Sequence, residues 1–137
     1  AWRRQGVAGP ATVLRLLDER VDGRIPRSWL QRLVSSLLLA RGVATVDELP
    51  VRDRDGRLLA ELDLALPGLK IGVECQSWRW HATPSARAAD ARRKRRLRAQ
   101  GWDIVEVWWS DLDRMDEVAD EVQSVIDSRH PRLIDAR

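Results

Sequence analysis

The sequence is poor in cysteine, lysine, histidine and long apolar runs, and each shortage excludes a class of protein. Cys75 is the only cysteine, so the chain forms no internal disulfide and no cysteine-rich structural zinc site. No stretch is long and apolar enough to span a bilayer, and the first residues lack the pattern of a secretory signal peptide. We therefore expect a cytoplasmic protein with no membrane partner.

The rest of the composition is typical of a folded domain. The 137 residues are 44% apolar and 33% charged, which is enough apolar material for one core. We expect a single domain over residues 1–137, with residues 1–26 as a helical extension and residues 27–130 as the core. The net charge is only +3. The total charge therefore does not demand a nucleic-acid partner, and the distribution of the charges is more informative.

Turn residues and apolar periodicity divide the chain into helices and strands. Helices are expected from Gly9 to about Arg20, from Trp29 to Arg41 behind a Ser28 cap, from a Thr83-Pro84 start to Gln100, and from Asp116 to about Arg129, with Pro131 closing the last one. Strands are expected near Leu49–Arg52, around Asp63, over residues 70–76 and over Ile104–Trp108. Helices, a three-strand meander, then helix, strand and helix predict an α/β fold.

Two adjacent apolar runs contain the most informative acidic residues of the chain. Residues 58–66 carry Asp63 among leucines, and residues 70–76 carry Glu74 in a similar setting. Side chains alternate between the faces of a strand. Leu62 should therefore share a face with Leu64 and Leu66, while Asp63 and Glu74 point the other way together with Gln76.

The short connection between these runs predicts their register. A two-residue loop at Gly68-Leu69 suits a type II′ turn, whose first loop residue is glycine. Asp63 then lies directly opposite Glu74, where like charges repel across Cβ distances of roughly 4.5–5.5 Å. A cation between the two carboxylates would turn this repulsion into a binding site. Mg²⁺, which proteins hold through one or two carboxylates plus substrate phosphate, is the natural candidate.

The predicted helix after Pro84 is strongly basic. Its apolar residue Leu97 must face the sheet, and the i, i+3, i+4 spacing places Asp90 and Arg93 on or beside that inward stripe. Asp90 and Arg93 should pair with each other or point together at the acidic strands. A run of charges is often only a solvated face, but beside a candidate metal site this density suits a phosphate backbone. The expected DNA-contacting residues are Arg92, Lys94, Arg95, Arg96 and Arg98.

These motifs together resemble a known nuclease superfamily. The chain is similar to the PD-(D/E)XK nucleases, and more closely to the branch related to very-short-patch-repair endonucleases, over roughly residues 28–112. The resemblance implies a restriction endonuclease-like αβββαβ core, with a mixed four-stranded sheet flanked by helices. The segments that carry it are Leu62-Asp63-Leu-Ala, Val73-Glu74-Cys75, Trp80-His81 and Asp90-x-x-Arg93-x-x-x-Leu97-x-x-x-Gly101-Trp102.

The resemblance implies hydrolysis of DNA phosphodiester bonds with Mg²⁺ or Mn²⁺, in DNA repair or restriction. Asp63 and Glu74 would hold the metal, which activates a water. His81 would be an acid/base or water-orienting group, although a loop histidine bonded to backbone is an equal alternative. The DNA would be double-stranded, mismatched or branched.

Two amides depart from the pattern of the superfamily. Gln76 stands where relatives carry lysine or an acidic residue, and Gln31 stands where they tend to carry glutamate. Gln76 can orient a water but cannot take a proton, and Glu61 is positioned to compensate opposite it. The alternative is a catalytically inactive DNA-binding module of the same fold. A third possibility is a partner-binding subunit that uses exposed tryptophans and no nucleic acid.

Overall fold

The computed structural model describes residues 27–76 and 83–135, with side chains up to residue 129. The predicted N-terminal helix from Gly9, the tryptophans Trp78 and Trp80, and both histidines fall outside these described side chains. The elements are α1 (Arg27–Ala40), β1 (Val46–Arg52), β2 (Leu58–Leu66), β3 (Ile71–Gln76), α2 (Pro84–Ala99), β4 (Asp103–Trp108) and α3 (Met115–Asp135). Two 3₁₀ segments, Pro67–Leu69 and Trp109–Arg114, join β2 to β3 and β4 to α3.

The four strands form one mixed sheet in the order β1-β2-β3-β4. The pairs β1/β2 and β2/β3 are antiparallel, whereas β3 and β4 are parallel because α2 forms the crossover between them. The α/β class and the four-stranded mixed sheet with flanking helices are therefore confirmed. Within the described residues, no helix has both the length and the apolar character needed to cross a membrane.

Helices cover both faces of the sheet, but they are held differently. On one face, α1 and α3 pack buried side chains such as Leu30, Leu38 and Val122 against the sheet. On the other face, α2 contributes a single buried side chain, Leu97. Burying one leucine stabilises by roughly 1.5–3 kcal/mol. The remaining attachment of α2 is ionic, and it runs through the candidate site described below.

The predicted register between β2 and β3 is confirmed, but the predicted turn is wrong. Leu64 pairs with Val73 and Leu66 with Ile71, so Asp63 and Glu74 are the next residues on the two strands. Gly68 is not the residue with positive φ, because the connection is a 3₁₀ turn that ends at Lys70 with φ +54°. The fixed φ of Pro67 favours such a right-handed turn.

Along β2, the alternation of side chains between the two faces of the sheet shifts by one residue at Asp63; this shift is called the slip below. Leu64 packs with the α1/α3 face, but Leu62 packs with Ala65 in the cluster under α2, so the prediction that Leu62 shares a face with Leu64 is wrong. Two features accompany the slip. The described pairing of β2 with β3 ends at Leu64, and Glu48 on β1 has a left-handed φ of +52°. The slip thus lies next to the acidic pair, where the described pairing of β2 with β3 ends.

The ends of the helices match the sequence prediction only in part. Thr83 caps α2 as predicted, since its hydroxyl accepts from the Ala86 N–H over 3.1 Å. Ser28 is not a cap, because α1 already begins at Arg27. Pro131 does not end α3, which continues to Asp135. A proline inside a helix removes one backbone hydrogen bond and crowds the preceding turn, but the packing of Val122 and Ile126 fixes the turns before it.

Candidate functional site

Asp63 is buried, and both of its carboxylate oxygens have partners. Its side chain is 6% exposed. Oδ2 accepts from the Cys75 backbone N–H at 2.8 Å and from Arg27 Nε at 3.2 Å, while Arg27 Nη2 donates to Oδ1. Arg27 therefore binds Asp63 in a bidentate manner, through Nε and Nη2 of its guanidinium. This is the strong geometry for an arginine–carboxylate pair. The hydrogen bonds that Arg27 donates to Asp63 raise the pKa of Arg27.

Glu74 lies on the neighbouring strand and is held from the opposite layer. Its side chain is 7% exposed, and its Oε1 accepts from Arg93 Nη1 of α2 at 2.8 Å. Arg93 also donates to Asp90 Oδ1 through Nη2 at 2.9 Å. The predicted pairing of Asp90 with Arg93, and their approach to the acidic strand, are both confirmed. No described residue donates a hydrogen bond to Glu74 Oε2.

The ion pairs continue from Asp90 toward β4. Lys94 Nζ lies 2.9 Å from Asp90 Oδ2 and also donates to Glu106 of β4. Burial opposes ionisation of Asp90, but the hydrogen bonds from Lys94 and Arg93 outweigh it, so the pKa of Asp90 lies below its usual value. Burial likewise lowers the pKa of Arg93, but the hydrogen bonds to Glu74 and Asp90 prevail and raise it. Alternating charges thus join α2 to β3 and β4.

A pocket of about 290 Å³ opens over this arrangement. Its walls carry three carboxylates, two guanidinium groups, one amide and one thiol. The lining residues are Arg27, Ala60, Glu61, Glu74, Cys75, Gln76, Asp90 and Arg93. Glu61 and Gln76 therefore reach the same cavity as Glu74, as the register predicts. Gln31 lies one turn along α1 from Arg27 and is not among the described residues that line the pocket.

Cys75 lines the pocket, but its thiol is unreactive. Its residue is 2% exposed, and burial, reinforced by the Asp63 charge, raises the pKa of the Cys75 thiol to about 12. The thiol is therefore protonated at neutral pH, and a thiol is a poor nucleophile and metal ligand in that form. The function of Cys75 in the site is the backbone N–H that it donates to Asp63.

The predicted basic surface divides into two groups. Arg92, Arg95, Arg96 and Arg98 are exposed on α2, where they are available to a phosphate backbone. Lys94 differs from these four because Asp90 and Glu106 hold it, with its side chain 26% exposed. Its position makes it part of the attachment of α2 rather than of the outer surface.

The donor atoms of the site suit a hard cation only in part. Carboxylate oxygens are preferred Mg²⁺ ligands, and Asp63 and Glu74 bring such oxygens to adjacent positions. Within the described ranges, however, no group of three or more histidine, cysteine, aspartate or glutamate side chains is arranged to hold a metal. Glu74 offers one oxygen without a described donor, whereas Asp63 offers an oxygen only when Arg27 moves. The residues would therefore fit a Mg²⁺ ion only when Arg27 leaves Asp63, and water would supply the remaining ligands.

Sequence reasoning missed Arg27. This residue lies 36 positions before Asp63, and no local motif links the two.

The sequence analysis also missed a larger cleft of about 480 Å³ beside β4, between α2 and α3. Arg98, Trp102, Trp108 and Glu121 are among its lining residues. This cleft does not contain Glu74, whereas the smaller pocket does, so its size does not make it the better site. His81 lies in 77–82, outside the described residues.

Comparisons with known proteins add little about function. No protein-family model matches the chain, and no solved structure matches it significantly. Two curated proteins from two strains of Mycobacterium tuberculosis, named Uncharacterized protein MT2308 and Uncharacterized protein Rv2248, are similar to it. Each is 26% identical over 112 residues, which is 81% of this chain but 39% of the relative. The chain thus spans well under half the length of these relatives.

Proposed function

We propose that this domain is a metal-dependent DNA endonuclease with a restriction endonuclease-like core of the PD-(D/E)XK type. The observation that carries the proposal is the burial of two carboxylates, Asp63 and Glu74, on adjacent strands beside an exposed basic helix. Buried carboxylates are costly unless a cation or strong hydrogen bonds compensate them. Glu74 lines a pocket, and Asp63 lies directly behind it, hydrogen-bonded to the lining residues Arg27 and Cys75; this position favours a functional explanation.

The side chains in and beside the pocket would have different roles in phosphodiester hydrolysis. Asp63 and Glu74 would hold Mg²⁺, and a bound Mg²⁺ supplies an activated water and neutralises charge on the phosphate. Gln76 can orient the attacking water through its amide but cannot accept a proton. Arg93 lies at the pocket wall, where a guanidinium can neutralise a phosphate oxygen. The exposed arginines of α2 would bind the flanking backbone without reading sequence.

A plasmid assay tests this proposal. Supercoiled DNA is incubated with the protein in Mg²⁺, in Mn²⁺ or in EDTA, and conversion to nicked or linear DNA is measured. We expect conversion with either metal and none with EDTA. Glu74→Gln protein, purified in the same way, controls for contaminating nucleases. If Glu74→Gln converts the plasmid as fast as the natural protein, the activity does not come from this site.

A second candidate is a catalytically inactive DNA-binding module of the same fold. Two features favour it: Arg27 occupies both oxygens of Asp63, and Gln76 replaces a residue that could take or offset charge. In this case DNA affinity would fall steeply with salt but would not change with Mg²⁺ beyond its screening effect. Binding without plasmid conversion in any metal would select this candidate.

A further inference from the structure

Arg27 and Asp63 form an unequal pair. The Asp63 side chain is 6% exposed, whereas that of Arg27 is 55% exposed. The buried carboxylate cannot be left without a cation at low cost, but the arginine can rotate into solvent with little loss. Arg93 differs because its side chain is only 24% exposed and is also tied to Asp90. Arg27 is therefore the cation of this pocket that is easiest to displace.

Arg27 opposes a divalent cation at Asp63 in the free protein. Its guanidinium pairs with both Asp63 oxygens, and this charge repels an approaching cation in a partly buried space, where Coulomb interactions are stronger than in water. Displacing Arg27 leaves its guanidinium without an anion, and a DNA phosphate would supply one. The metal and the DNA backbone should therefore favour each other's binding.

We propose that Arg27 is a displaceable counter-ion that closes Asp63 in the free protein and moves to the DNA phosphate when a divalent cation takes its place. This inference rests on the proposed function and adds a coupling to it. Because coupling free energies are reciprocal, DNA raises the affinity for the cation by the same factor by which the cation raises the affinity for DNA. Free protein without DNA then holds Mg²⁺ or Mn²⁺ weakly.

The test measures Mn²⁺ binding to the full chain without DNA, from the loss of the free Mn²⁺ signal in electron paramagnetic resonance. Arg27→Ala removes the counter-ion, and we expect it to bind Mn²⁺ about tenfold more tightly than the natural protein. Arg32→Ala removes an exposed arginine from the same helix and controls for the loss of one positive charge; it should bind Mn²⁺ as the natural protein does. Adding Asp63→Asn to Arg27→Ala should abolish the gain.

A second readout covers the chance that Arg27→Ala is unstable, because it leaves Asp63 buried with only the Cys75 N–H. Its melting temperature should rise more in millimolar Mn²⁺ than that of the natural protein, since tighter binding stabilises more. Arg27→Lys keeps the charge but loses the bidentate contact with Asp63. Its Mn²⁺ affinity should therefore lie between those of Arg27→Ala and the natural protein.

Equal Mn²⁺ affinities for Arg27→Ala, Arg32→Ala and the natural protein would overturn the counter-ion inference. If the natural protein nevertheless cuts plasmid in a manner that needs Glu74, the proposed function survives that failure. If Arg27→Ala gains Mn²⁺ affinity through Asp63 but no protein cuts DNA, the counter-ion inference stands and the proposed hydrolysis fails.

Discussion

Arg93 Nη1 of α2 donates a hydrogen bond to Glu74 Oε1 of β3 across 2.8 Å. The same guanidinium binds Asp90 on its own helix, so one side chain orients the helix and neutralises the strand. This contact matters because Leu97 is the only fully buried side chain of α2. The helix that carries the exposed arginines is thus positioned by the acidic residues of the candidate site.

Acid should weaken the attachment of α2 through Asp90. Because the folded-state pKa of Asp90 is below its usual value, its contribution to stability is present above the unfolded-state value and is lost as the pH falls below about 4. Urea unfolding of Asp90→Asn should therefore show a deficit against the natural protein at neutral pH that shrinks at about pH 3. Asp47→Asn, at an exposed residue of β1, serves as the control. A deficit of the same size at both pH values would contradict the assignment.

The exposed arginines of α2 should dominate DNA affinity. Replacing Arg92 and Arg96 with alanine should weaken binding to all DNA sequences alike. It should also lower the slope of log affinity against log salt by about 0.9 for each DNA phosphate that the protein no longer neutralises. Fluorescence anisotropy over a salt series measures both effects. The matched control removes two exposed arginines elsewhere, Arg32 and Arg54. If control and test variants bind DNA equally weakly, net charge rather than this helix accounts for binding.

Gly72 should resist substitution because the chain packs tightly above it. A Cβ at Gly72 would lie 2.8 Å from the Cδ1 atoms of both Leu62 and Ile104. We expect Gly72→Ala to destabilise the protein by about 1–3 kcal/mol. Gly68→Ala is the control, since a Cβ there meets nothing within 4 Å and φ is not positive. Chemical denaturation of both variants compares them, and equal stabilities would refute the packing argument.

Cys75 should be unreactive in the folded protein. Its burial and its pKa of about 12 keep the thiol protonated and inaccessible, and the thiolate is the reactive form. Ellman's reagent at about pH 8 should label it only at the rate at which the protein opens, and rapidly in urea. Rapid labelling of the native protein would mean that the pocket exposes the sulfur.

The sequence predicted the parts of the site that depend on local spacing. Asp90 and Arg93 pair because they are three residues apart on a helix, and Asp63 lies next to Glu74 because a short connection sets the register. It did not predict Arg27, whose contact with Asp63 follows from how α1 packs on the sheet. It also misassigned Leu62, because strict alternation does not anticipate a one-residue shift where the pairing of β2 with β3 ends.

The predictions of the β2–β3 turn and of the helix ends were wrong for similar reasons. Gly68 looked like the residue with positive φ, but Lys70 takes that conformation and its Nζ donates to the Gln100 carbonyl at 2.9 Å. That contact lies 30 residues away along the chain, and it is invisible to any local pattern. The continuation of α3 past Pro131 likewise reflects packing earlier in the helix. The rule that a proline ends a helix takes no account of such packing.

The most direct test of the account separates DNA cutting from DNA binding in one variant, Asp63→Asn. The amide oxygen can still accept from the Cys75 N–H, so the fold should persist, but the negative charge that would hold a metal is gone. We predict a plasmid-cutting rate in Mn²⁺ at least about a hundredfold below that of the natural protein, with the DNA dissociation constant within about threefold. An Asp63→Asn protein that still cuts at the natural rate would contradict the claim that Asp63 and Glu74 carry the reaction.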